Sequence, residues 1–211
     1  MPSVAHLLTF AVASAILIAI PGPSVLFVIG RSLALGRKGG ILSVLGNELG
    51  ALPHVAAVSL GVGAIVAQSI VIFTIVKLVG AAYLLYLGIQ AIRHRNRIAA
   101  VEEQPAPRSA LRTIGQGFLV GVSNPKTIVF LVAVLPQFVD YRAGLIPLQL
   151  AVLGVEFVVL AFLMDSVWAL VAGSARTWFG RSPKRLSRMG AVGGAMMIGL
   201  GGVLVASGAK S

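Results

Sequence analysis

The chain has 211 residues, of which 57% are hydrophobic and only 11% charged, and its mean hydropathy is +0.97. A soluble domain carries about 25% charge, so composition excludes an ordinary water-facing domain and leaves the membrane class. The formal net charge of +11 does not imply a nucleic-acid partner, because the basic residues lie in short segments between apolar runs without interleaved aromatics.

Crossing the hydrocarbon core takes about 20 apolar residues in a helix. Six segments meet that length: 4–30, 41–67, 69–92, 114–139, 145–173 and 189–209. The first lacks the basic flank of a signal peptide, since Met1 to His6 contain no Lys or Arg, and it continues to Ile29; it is read as a spanning helix. Within it, Pro21, Gly22 and Pro23 interrupt the apolar run, and Arg31, Arg37 and Lys38 mark its end. The second segment carries "GNELG", residues 46–50, which brings Asn47 and Glu48 into the membrane. The boundary between the second and third, at Gln68–Ser69, is either a very tight hairpin or a displaced edge. Lys77 lies inside the third segment and is read as structural.

The connection 93–113 is polar, with Glu102, Glu103 and two prolines. It is read as a cytoplasmic linker between halves 1–92 and 114–211 of one transmembrane domain, a plain linker being favoured over a regulatory loop. The fourth segment breaks at Asn124–Pro125 and carries Lys126; the fifth holds Glu156 and Asp165. The sixth spaces Gly190 and Gly194 as GxxxG, which suits close packing inside the bundle first and homodimerisation second. Thirteen of the 17 basic residues fall in the connections after segments one, three and five. The positive-inside bias therefore predicts cytoplasmic basic loops and both termini outside.

The halves echo each other. Each opens with a Pro-broken helix, at Pro23 and Pro125, and each continues with a helix bearing a Glu, at Glu48 and Glu156. Three spans per half would insert the second half inverted. The predicted fold is all-α and polytopic: six transmembrane helices in two inverted three-helix repeats, with helices one and four broken. Freed backbone in lipid is tolerated only where it is buried in protein or lines a cavity, and paired broken helices point to a transporter's binding site. A simple kink is the competing reading.

Ionisable groups inside a membrane cost about 2.5 to 3.5 kcal/mol each on insertion scales and default to a functional role. Helical rise puts each break roughly level with the Glu of the next helix. Glu156 and Asp165, nine residues apart, point to opposite sides of a helix. Glu156 is the favoured central residue, and Asp165 is expected to pair with a loop arginine. Lys126 has three open readings: neutralising a Glu, binding a substrate carboxylate, or a structural ion pair. The absence of cysteine excludes disulfides and thiol relays. His6, His54 and His94 have no metal-ligand spacing and read as chance scatter. No metal or cofactor is expected, and no nucleophile–base pairing suggests an enzyme.

With "IPGPSVLFVIGRSLALGRKGGILSVLGNELGA" and "GFLVGVSNPKTIVFLVAVLPQFVD" in view, the chain resembles the LysE/RhtB family of amino-acid exporters, closer to its homoserine/threonine-type branch. The motif positions are Pro21, Gly22, Pro23, Gly46, Asn124, Pro125, Lys126, Pro136 and Gln137. The resemblance implies efflux of an amino acid or close derivative across the bacterial inner membrane, coupled to the proton or the membrane potential. The expected cargo site comprises Pro21, Gly22, Pro23, Asn47, Glu48, Asn124, Pro125, Lys126 and Glu156, with Glu48, Glu156 and Asp165 as proton carriers. Membrane lipid is the expected surround. Export of a metal or other small cation, and a non-transporting membrane subunit, are the alternatives.

Overall fold

The computed structural model describes residues 2–62, 70–93 and 109–174, with helical positions 188, 191, 195, 198, 199 and 202 in the last apolar segment. The Gln68–Ser69 boundary, most of the 93–113 linker, the Lys77 side chain and the Gly190–Gly194 pair lie outside the described residues. Every regular element among those residues is a helix. They are α1 (Val4–Ala19), α2 (Pro23–Ala57), a π-helical turn (Val58–Val62), α3 (Ile70–Arg93), α4 (Ala110–Val122), α5 (Pro125–Ala133), a 3-10 turn (Leu135–Phe138) and α6 (Ile146–Ser174). By length and composition, α2 with its continuation and α6 can each cross a membrane, and α4 with α5, bent by 50°, makes a third span if counted as one.

Helix α2 is not a single rod. Gly36 has φ +74° and ψ −174°, a conformation open essentially to glycine alone. A methyl group added at Gly40 would collide with Ser32 Oγ, eight residues back, which a straight helix would hold about 12 Å away. The chain therefore folds back at Gly36 into a first arm, 23–35, and a second arm, 37–57. The close of α6 seals this turn: a methyl at Gly173 would crowd the Arg37 backbone, and Arg37 Nε donates to Ser174 Oγ at 3.0 Å.

The second arm lies against α4 with the backbones touching. Gly46 and Gly50 face Gly117 and Gly121, and a Cβ at any of the four would strike a backbone oxygen of the other helix, at Ile114, Phe118, Ser43 and Asn47 respectively. Both helices thus use small-xxx-small spacing to approach closely. The apolar core joins α1, α5 and α6 through Phe10, Phe130 and Phe157. The Phe130 ring centroid stands 5.9 Å from Phe10 and 5.3 Å from Phe157, within the range where aromatic pairs attract. On α6 the buried stripe runs Leu150, Leu153, Phe157, Ala161, Asp165, Ala169 and Ala172. One carboxylate sits in the middle of it.

Candidate functional site

Both helix breaks are restarts rather than kinks. Pro23 opens α2 and Pro125 opens α5 at the first turn, where a missing N–H costs nothing and the fixed φ suits the helix. Pro21 and Gly22 are buried, whereas Pro23 is exposed and Pro125 half-buried. The prolines shape the backbone, and other groups carry the polar chemistry.

The two breaks bond directly to each other. Asn124 Nδ2 donates to Ser24 Oγ at 3.0 Å and to Thr127 Oγ1 at 2.9 Å. Its Oδ1 accepts from the Lys126 N–H at 3.2 Å, capping α5. The Lys126 ammonium donates to the carbonyls of Leu17 at 3.2 Å and Ile20 at 2.9 Å. A cation at the end of α1 satisfies carbonyls freed by the first break and complements the negative end of that helix. The amides of α2 receive no such help. Gly22 caps α2 with no side-chain bond, and the first intrahelical bond runs from Leu26 N–H to Gly22 O at 3.0 Å. The N–H groups of Ser24 and Val25 therefore lack helical partners.

Glu48, Lys126 and Asp165 are all buried and lie within each other's electrostatic reach. Asn47 Nδ2 donates to Glu48 Oε1 at 2.7 Å. Asp165 Oδ1 and Asn47 Oδ1 are buried without a hydrogen-bond partner among the described residues. Two buried carboxylates thus lie within the electrostatic influence of one buried ammonium, where an uncompensated charge is costly.

Of the residues singled out in the sequence, Asn47, Glu48, Asn124 and Lys126 are buried beside the breaks or among these charges. Glu156 is not in the group: it is half-buried, with Oε2 unpartnered. Asp165 takes the central place instead, and its charged neighbours are Lys126 and Glu48 rather than a loop arginine. Rotation about α6 decides this, because Asp165 falls in the buried stripe and Glu156 lies one residue off it. Ser24 and Leu17 were not foreseen as partners. His54 has a role where scatter was expected: its Nε2 lies 3.0 Å from the Val122 carbonyl. It holds an oxygen freed where α4 ends, which requires the proton on Nε2 because a carbonyl only accepts.

The model of the LysE type translocator family matches residues 15–208. The chain belongs to the LysE type translocator family. Among relatives, an uncharacterized membrane protein of Vibrio cholerae is 37% identical over 186 residues, 87% of this chain and 88% of that one. A homoserine/homoserine lactone efflux protein of Salmonella typhimurium is 30% identical over 203 residues, 96% of this chain and 95% of its own. Membrane protein YrhP of Bacillus subtilis is 29% identical over 184 residues, covering 83% of this chain and 87% of that protein. No solved structure matches the chain. Family membership and the apolar helices together make this LysE type translocator a membrane-integral protein, and the family points to transport rather than catalysis.

Proposed function

We propose that this translocator exports an amino acid or close derivative of the homoserine type from the cytoplasm, exchanging it for a proton. The proposal includes six spans in two inverted halves, basic loops in the cytoplasm, and rocking of the halves about the paired breaks. The carrying observation is the bonding of the two breaks through Asn124–Ser24 and through Lys126 to the Leu17 and Ile20 carbonyls, beside two buried carboxylates.

In this reading the cargo carboxylate binds the free Ser24 and Val25 amides at the positive end of α2. Lys126 stands close by and keeps one ammonium hydrogen to spare, having three donors and two bonds. The cargo ammonium goes to Asp165 and Glu48. Because the group holds one more carboxylate than ammonium, its spare carboxylate takes either the cargo ammonium, with the cargo carboxylate met by the α2 amides, or a proton. The two compete for the same oxygens, so release of one on each side of the membrane requires arrival of the other. That competition makes the exchange obligatory without a separate coupling device.

The test is counterflow into proteoliposomes loaded with labelled homoserine, challenged with a panel of amino acids, homoserine lactone and divalent metals. Exchange with homoserine and its lactone, and none with the metals, is expected. Exchange with a metal alone would replace this reading with cation export, and flux of nothing in the panel would leave a non-transporting subunit.

A further inference from the structure

Arg31 marks the end of the first apolar run in the sequence, where a solvated side chain is the ordinary expectation. In the fold it lies on the first arm of α2 and is only 4% exposed. Its Nη2 donates to Gln116 Oε1 of α4 at 2.8 Å. Nε and Nη1 are sealed from solvent and have no hydrogen-bond partner among the described residues, and the Phe27 ring stands 6.0 Å from the guanidinium carbon. An arginine cannot shed its charge, and burying a cation without an anion is costly. Gln116 compensates one nitrogen of three.

The position of this pair matters as much as its chemistry. The first arm of α2 and α4 run antiparallel, tied by Arg31–Gln116 and, just past the end of α4, by Ser24–Asn124. Seven residues of helix separate the two ties on α2, about 10 Å. Arg31 therefore stands on the Gly36 side of the breaks, the end that the basic connections assign to the cytoplasm, along the same helix pair that leads to Ser24.

We infer that Arg31, oriented by Gln116, is a second carboxylate-binding position, which receives the cargo's carboxylate on the cytoplasmic side before it reaches the breaks. This rests on the amino-acid export reading above. The two unpartnered guanidinium nitrogens supply donors suited to a planar carboxylate, and their sealing corresponds to a path closed at this end. Parting of α2 and α4 near Gly36 opens it.

Homoserine carries a carboxylate and its lactone does not, so the pair isolates the contact. Uptake into inverted membrane vesicles presents the cytoplasmic face. There, Arg31→Gln and Arg31→Lys should each raise the ratio of the homoserine KM to the lactone KM by about tenfold or more, the loss expected for a charge-assisted hydrogen bond. If Arg31→Gln fails to reach the membrane, Arg31→Lys decides through the same ratio. A ratio within twofold of wild type, with both cargos impaired alike or neither impaired, would overturn the role of Arg31 and leave a structural cation. If the wild-type protein moves neither cargo, the export reading itself fails and takes this inference with it.

Discussion

The two helix breaks begin alike and end differently. At the second, Asn124 caps the new helix with its own side chain and reaches across to Ser24. At the first, Gly22 offers no cap, and Lys126 from the other break holds the Ile20 carbonyl and shares that of Leu17 with the Ile20 N–H. One break is self-sufficient and exports its spare groups. The other is completed from outside and still keeps two amides unclaimed. A proline that restarts a helix thus creates a binding position when its neighbours leave the backbone unsatisfied; the first break leaves the Ser24 and Val25 amides without helical partners, and the second, with Lys126 N–H capped, leaves only that of Thr127.

That contrast can be broken at several points. The largest effect is expected from the buried charges that interact with Lys126. Asp165→Asn and Glu48→Gln should abolish homoserine accumulation driven by a pH gradient in proteoliposomes, while Glu156→Gln, outside the group, should retain it; the reverse pattern would return the proton to Glu156. Next comes Lys126→Met, which strips the α1 carbonyls of their cap and leaves two buried carboxylates without a cation. A loss of about 3 kcal/mol or more is expected, read as a lower Tm of the detergent-solubilised protein, whereas an unaltered Tm would show that the carbonyls find water instead.

Smaller effects report on how the second break is held in place. Gly121→Val forces a side chain into the Asn47 backbone and should cost about 1–3 kcal/mol, visible as a Tm decrease that Gly115→Val, with open space around it, does not share. Asn124→Ala removes the cap of α5 at about 1 kcal/mol. Gly22→Ala removes no side-chain bond, so a drop in Tm from Asn124→Ala well beyond 1 kcal/mol would measure the additional worth of the bond to Ser24.

The helical class, the two breaks and their buried polar residues were legible in the sequence, because proline and glycine in an apolar run have few other meanings. Rotation about a helix axis was not. Glu156 and Asp165 lie on one helix, and only the stripe from Leu150 to Ala172 shows which faces inward. That stripe was present in the sequence, hidden because α6 is apolar on nearly every side. The pairing of Gly46 and Gly50 with Gly117 and Gly121 was readable as two GxxxG spacings, although which helices meet is a matter of tertiary packing. The fold at Gly36 left no such trace. A glycine near a basic cluster looks like any loop, and its positive φ is a property of the folded backbone. Arg31 reads as a boundary marker in the sequence because charge alone does not reveal a helix running on for several more residues.

The central claim is that cargo binds at the first break, and the absence of cysteine makes it directly measurable. Ser24→Cys places one thiol at the amides of α2 in an otherwise thiol-free protein. Its reaction with a maleimide in transporting proteoliposomes should slow saturably as homoserine is added, with half-protection near the KM for transport. Labelling that proceeds at the same rate with and without homoserine, in protein that still transports it, would contradict the account.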